Sequence, residues 1–390
     1  MARALGVAIV LLAVFARPAV AQETIGQVLS FLLINRSITT NDFARDEQAA
    51  AATRDAIGAF LLTELTTLPT TSPAGGFTYR LDPSLGTSVR SSDSFGPFYN
   101  ERSLTVGRNH AAVSLSFGQA SFDTIDGMSL RNGSLVAIAS QLKGDAKPFD
   151  AETLTLRLET RTTTLTGEWG LTDRIDVGAI VPFVTLTLSG SRLDTYRGSP
   201  FPQASAAASV SGLGDVIVRA KYNLWRSGGS GLAIGGDARL PTGDVNNFLG
   251  EGKTVFVPRI IASLEEDRIA FHGDVGYARG GISNELDYGG AATVAASRRV
   301  TIVGEVVGRR LASAGDLVYV TTPQPGVVGV DTIRLTGTDR STSQVSVVAG
   351  LRWNIGGRWL LSANVLRPVT SGGLNARWVP TITLDDSFGR

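Results

Sequence analysis

The stretch GDVIVRAKYNLW, residues 214–225, alternates. Val216, Val218, Ala220, Tyr222 and Leu224 share one parity, while Asp215, Arg219, Lys221 and Asn223 share the other. A period of two places these sets on opposite faces of a β-strand. In LAIGGDARL, Leu232, Ile234 and Leu240 oppose Asp237 and Arg239; in VTIVGEVVGRR, Val300, Ile302 and Val306 oppose Glu305 and Arg309. In QVSVVAGLRWN, Val345, Val347, Leu351 and Trp353 oppose Gln344, Ser346, Arg352 and Asn354, and in DRIAFHGDVGYA, Ile269, Phe271, Val275 and Tyr277 oppose Arg268, His272 and Asp274. A chain written this way from about residue 110 onward must build sheet with one apolar and one charged face.

Soluble sandwiches also alternate, so the connections decide the class. Short turns fall at 170–175, 226–231, 265–268, 297–299 and 355–358, and between them lie longer polar loops around 188–208, 241–253, 279–286 and 311–341. Short turns alternating with long loops are the pattern of an outer-membrane barrel. Trp169, Trp225, Trp353 and Trp359 all sit beside the short turns, where an indole at headgroup level would form an aromatic girdle. The expected fold is therefore all-β: a transmembrane antiparallel β-barrel of about 12 strands. Strands begin near 110, 152, 175, 209, 231, 254, 268, 286, 300, 342, 358 and 373, and a further hairpin at 76–92 would give fourteen. Within 152–169 the apolar parity changes between Leu158 and Leu165, which predicts a bulge or an extension beyond the membrane.

The N-terminus reads as a signal peptide over residues 1–21, with Arg3, an apolar run from Leu5 to Phe15 and the small-x-small site Ala19-Val20-Ala21. No later run approaches the length of a membrane-spanning helix. Residues 22–75 form a helical segment expected to cap or plug the barrel, with Ile57, Phe60, Leu61, Leu65 and Leu68 on one face and Pro69 ending the run. An irregular connection over 76–108 precedes the barrel at 109–390. With 36 basic against 35 acidic residues and no basic run, nucleic acid is not an expected partner. No cysteine and only two histidines exclude a disulfide framework and a Cys/His zinc site; no cofactor or metal is expected.

His272 and Asp274 share a strand face, but catalysis needs a nucleophile, and no G-x-S-x-G elbow or activated Cys is present. They are read as part of a lumen-lining set with Arg157, Glu159, Arg161, Asp215, Arg219, Lys221, Asp237, Arg239, Arg259, Asp287, Glu305, Arg309 and Arg352. Arginine is in excess in this set, which would either brace a small lumen by ion pairs or, solvated, favour anions and polar solutes. GGSGLAIGG lacks phosphate-loop spacing, and PTGDVNNFLGEGK lacks EF-hand spacing.

Residues 212–252 carry GLGD leading into a strand, then a hairpin into LPTGD and LGEG. This arrangement resembles the outer-membrane transporter family of meta-pathway phenol degradation, a loose relative of the long-chain fatty-acid transporter barrels. Gly212, Gly214 and Asp215 match the first motif, and Pro241, Thr242, Gly243 and Asp244 the second. The resemblance implies a barrel in the outer membrane, in contact with its lipid, passing small hydrophobic or aromatic solutes, with the preceding segment filling or covering the lumen. The chain departs from the fatty-acid transporters in lacking their Asn-Pro-Ala start, and it ends SFGR, so Phe388 would serve as the assembly signal. The readings are a passive channel, a structural or surface barrel with a closed lumen, and, third, a membrane-embedded hydrolase using His272.

Overall fold

The computed structural model describes residues 24–33, 45–72, 76–82, 84, 87–313 and 316–389; the expected signal peptide lies outside them. Two helices come first, α1 (Ile25–Leu33) and α2 (Glu47–Thr66), followed by a small two-stranded sheet of β1 (Tyr79–Asp82) and β2 (Thr87–Arg90). The remaining strands are β3 (His110–Ile125), β4 (Met128–Ser129), β5 (Leu135–Leu142), β6 (Asp150–Gly170), β7 (Ile175–Tyr196), β8 (Ser199–Leu213), β9 (Val216–Ser227) and β10 (Ser230–Leu240). There follow β11 (Val255–Glu266), β12 (Ile269–Ala278), β13 (Glu285–Ala295), β14 (Val300–Leu311), β15 (Leu317–Pro323) and β16 (Val330–Gly337). Last are β17 (Thr342–Gly356), β18 (Trp359–Pro368), β19 (Leu374–Ala376) and β20 (Val379–Gly389).

Twelve strands close an antiparallel barrel, with β8 and β9 acting as one strand interrupted at Gly214 and Asp215. The ring shuts where β20 pairs β3, from Thr381 opposite Gly118 to Gly389 opposite His110. The β1–β2 hairpin stays outside this ring, so the fourteen-strand alternative does not apply. Leu115, Phe117, Leu165, Ile260, Leu264, Phe271, Ile302 and Ile382 point outward and are about half exposed; in water so continuous an apolar belt would be a liability, and in lipid it is the outer wall. No helix among the described residues is long and apolar enough to cross a membrane.

Three expectations change. The loop expected at 188–208 is instead the paired upper part of β7 and β8, joined by a two-residue turn at Arg197 and Gly198, both at positive φ, the geometry of a type I′ hairpin. The loop expected at 311–341 contains the hairpin of β15 and β16. The parity change in β6 is an extension, since β6 and β7 pair without a register shift from Asp150 opposite Tyr196 to Gly170 opposite Asp176. At 21 and 22 residues these strands are about twice the length a bilayer requires. Above the membrane, β5 and β16 join the sheet beside β6.

The main core lies inside this extension. Ile25, Val28, Leu29 and Leu32 of α1 and Ile57, Phe60 and Leu61 of α2 pack against Leu154, Leu156, Leu158, Leu186 and Leu188 of the wall. Asp46 caps α2 by accepting from Ala49 N at 3.0 Å, the stabilising role of an N-cap carboxylate. Just before it, Arg45 is buried against Asp150, Glu152 and Asp194, fastening the helical segment to β6 and β7.

Candidate functional site

The inner wall at membrane depth is an ion-pair lattice. Arg219 meets Asp237 at 2.9 Å and also contacts Glu101; Arg259 contacts Asp274 and stands 3.5 Å from Asp287. Lys221 lies 3.6 Å from Glu168 and 3.5 Å from Asp176. Arg239 stands 3.6 Å from Glu251 and from Glu285, and 4.0 Å from Asp287. Arg309 reaches Glu64 of α2 at 2.8 Å, and Arg352 reaches Asp385 at 3.4 Å. Buried charges persist only when paired and hydrogen-bonded; alternation brings them to one surface, and barrel closure brings the signs together.

Three members of the expected lumen set are corrected. Arg157, Glu159 and Arg161 point away from the lumen, because the even residues Leu154, Leu156, Leu158 and Thr160 of β6 are the buried ones. In the extension the interior holds helices and is apolar, while the outside meets water, so the usual relation of polarity to face is inverted. Arg219, Lys221, Asp237, Arg239, Arg259, His272, Asp274, Asp287, Glu305, Arg309 and Arg352 lie on the inward parity of their strands, and Asp215 lines the interior from the break between β8 and β9. Sequence reasoning passed over Glu168, Asp176, Glu285 and Asp385, all buried on that parity, together with Glu64 and Glu101, which come from outside the barrel strands. These carboxylates reverse the expected excess of arginine.

Residues 92–106 form a loop that rises into the lumen from the end with the short turns and returns there. At its apex Glu305 accepts from the backbone N–H of Phe98, of Tyr99 at 3.0 Å and of Asn100 at 3.1 Å, and from the Asn100 side-chain amide at 2.9 Å. Arg352 donates to Pro97 O at 2.6 Å, and Asp274 accepts from Glu101 N at 2.9 Å. On the return, Ser263 accepts from Ser103 N and Asp176 from Val106 N, both at 3.0 Å. Gly289 faces the apex, and a side chain there would collide with Asn100.

His272 is buried with Nδ1 2.9 Å from Ser263 Oγ, and Nε2 has no partner among the described residues. Asp274, two residues along, serves Arg259 and the Glu101 backbone instead of orienting the imidazole. Ser263, 1% exposed, lies beneath the loop. A serine and a histidine in contact without an orienting carboxylate or substrate access do not assemble the machinery of nucleophilic catalysis.

Between the loop apex and α2 lies a cavity of about 270 Å³. The C-terminal end of α2 and the strap after it, from Leu65 to Ser72, form its ceiling, with Phe248 and Leu249 from the external loop. That loop is held by the residues of the two quoted motifs. Asp215 accepts from Gly243 N at 3.0 Å and Glu251 N at 2.8 Å, and Thr242 Oγ1 donates to Gly214 O at 2.7 Å. A side chain at Gly250 would strike Asp215, so small residues are required where the motifs meet. A 3-10 turn at Val245–Asn247 then touches α1, with Asn247 Oδ1 accepting from Ile25 N at 3.1 Å.

Outside, Trp169, Trp225, Trp353 and Trp359 project from the wall, 39 to 53% exposed. Trp378, near the opposite end of the barrel, is 48% exposed, with Arg367 4.8 Å from its ring centroid.

A family described as "Putative MetA-pathway of phenol degradation" matches residues 141–373. Among solved structures, the chain is similar to the COG4313 outer membrane channel from Pseudomonas putida F1, at 11% identity over 73% of this chain and 97% of that one, with a TM-score of 0.48. It is also similar to the toluene transporter TbuX of Ralstonia pickettii, at 11% identity over 72% and 90%, TM-score 0.31. A third is the CymD monoaromatic hydrocarbon channel, at 10% identity over 73% and 90%, TM-score 0.29. No curated protein sequence matches.

Proposed function

The chain belongs to the family described as "Putative MetA-pathway of phenol degradation", and we propose that it is an outer-membrane channel passing small hydrophobic or aromatic compounds by passive diffusion. The observation that carries this is the cavity inside the barrel, whose apolar ceiling, from Leu65, Leu68, Phe248 and Leu249, can take up a ring. Two barriers bound it: the helices toward the long loops and the inward loop toward the short turns. Passage requires both to yield. The charged wall is read as lumen lining that braces the barrel, and the four tryptophans beside the short turns as the girdle at that interface. The protein acts on its solutes as a conduit and not as an enzyme.

The test is to refold the full chain into liposomes and compare entry of a small aromatic solute with that of a small sugar, each above the leak of protein-free vesicles. A variant lacking residues 22–75 and a Glu305→Gln variant follow. Faster aromatic entry, rising further when either barrier is weakened, supports the channel. No entry of either solute in any variant would instead favour a structural or surface barrel with a closed lumen.

A further inference from the structure

We infer that the cavity is a binding chamber for amphipathic molecules whose polar head is neutral or cationic, and that its charges exclude aromatic carboxylates; this rests on the channel reading and names its selectivity. The chamber has two unlike halves. One is apolar: Leu65 in the last turn of α2 and Leu68 just after it, Phe122, Leu186, and Phe248 and Leu249 of the external loop. The other carries four guanidiniums, Arg219, Arg239, Arg259 and Arg309, facing six carboxylates, Glu101, Asp215, Asp237, Asp274, Glu285 and Asp287.

The guanidiniums are already engaged. Arg219 and Arg259 make direct contacts with Glu101, Asp237 and Asp274. Arg309 is held by Glu64, by Gln344 at 2.8 Å and by the Thr67 carbonyl at 2.6 Å. Arg239 is surrounded by three carboxylates at 3.6, 3.6 and 4.0 Å. Among the described residues a ligand carboxylate would therefore meet no cation lacking an acidic neighbour, and it would add to an existing excess of negative charge in an interior screened less than the surface. The excess survives protonation of any one carboxylate.

A hydroxyl or an ammonium meets the opposite situation. Asp287 hydrogen-bonds the neighbouring Glu285 carboxyl, and the guanidinium nitrogens nearest it stand 3.5 Å away on Arg259 and 4.0 Å away on Arg239, both on the side of Oδ2, so a donor in the chamber meets an acidic pair that the guanidiniums only approach. A head there places a ring of about six carbons against the apolar half, and both halves are satisfied together. A hydrocarbon satisfies only one half; a sugar gives the apolar half nothing to bury.

The experiment is isothermal titration of the full chain in detergent at neutral pH with three near-isosteric probes: phenethylamine, 2-phenylethanol and phenylacetate. Phenethylamine and 2-phenylethanol are expected to bind about tenfold tighter than phenylacetate, a difference of about 1.4 kcal/mol. In Asp287→Asn the advantage of phenethylamine over phenylacetate is expected to shrink several-fold, with the affinity for 2-phenylethanol changing least. Phenylacetate binding as tightly as the other two, or no binding by any of the three, would overturn the inference. Because binding is read without transport, the expected order together with absent permeation would overturn the channel reading and leave the chamber's selectivity standing.

Discussion

At the scale of single residues, Glu305 decides the most. One buried carboxylate satisfies three consecutive backbone N–H groups and an amide at the tip of the inward loop, and buried donors left without an acceptor cost about 1–3 kcal/mol each. Glu305→Ala is expected to free residues 92–106 while leaving the wall paired. The measurement is proteolysis of this loop in the folded barrel, with protection equal to wild type counting against the assignment. A second residue makes a pH-dependent contribution. Asp126, in the turn after β3 outside the membrane-spanning strands, accepts from Leu317 N and Gly373 N, both at 2.6 Å. Burial pushes its carboxyl up to about 6, against the lowering by those two N–H groups and with further raising from Asp316 and Glu64. A carboxyl with a raised folded-state pKa binds its proton more tightly folded than unfolded, so its contribution to stability is fully present below about pH 4 and declines as pH rises through about 6. Hydrogen exchange of the Leu317 and Gly373 amides should therefore quicken between pH 4 and 6.5, after correction for intrinsic exchange; protection unchanged across that window would contradict the sign.

At the scale of elements, the helical segment is fixed at both ends of α2. Arg45 sits among Asp150, Glu152 and Asp194, and Glu64 takes Arg309, Gln344 and the backbone N–H of Leu374. Removing one partner of a buried ion pair costs about 3–5 kcal/mol, because the remaining charge is stranded. Arg45→Ala is expected to loosen α1 and α2 and to raise aromatic entry, whereas Arg54→Ala, altering a solvent-facing pair within α2, should change neither. Equal effects from the two would show that the buried contacts do not hold the segment. The external loop of the quoted motifs is the second fixed element. Asp215→Ala strips acceptors from Gly243 N and Glu251 N, and the expected result is a lower unfolding temperature with the barrel still formed, read by heat-modifiable migration on a denaturing gel.

At the scale of the whole molecule, the barrel is a tube with unlike halves inside. Its membrane-depth interior is an ion-pair lattice around a loop, and its upper interior is a helical apolar core in a sheet standing in water. The girdle proposed for the tryptophans beside the short turns puts them where lipid ends. In single-tryptophan variants, Trp169, Trp225, Trp353 and Trp359 should be quenched most by lipids brominated near the headgroup and least by those brominated near the chain ends. Strong quenching at the bilayer centre would misplace the wall by half its height.

By itself the sequence determined ten of the twelve strand starts to within two residues, the outward apolar face, the short turns and the helical face of Ile57, Phe60, Leu61 and Leu65; it missed the start of β8 at Ser199 and of β20 at Val379. Each is local: period two and period 3.6 are properties of neighbouring residues. It could not determine what fills the tube. Arg157, Glu159 and Arg161 follow the same alternation as Arg219, yet face water, because parity says which residues share a side and not whether that side meets lipid, solvent or protein at a given height. Glu64 and Glu101 enter the lumen from a helix and a loop, 245 and 118 residues in sequence from the arginines they contact, Arg309 and Arg219. Only closure of the wall around both plugs fixed that balance of charge, and with it the two unlike halves of the chamber.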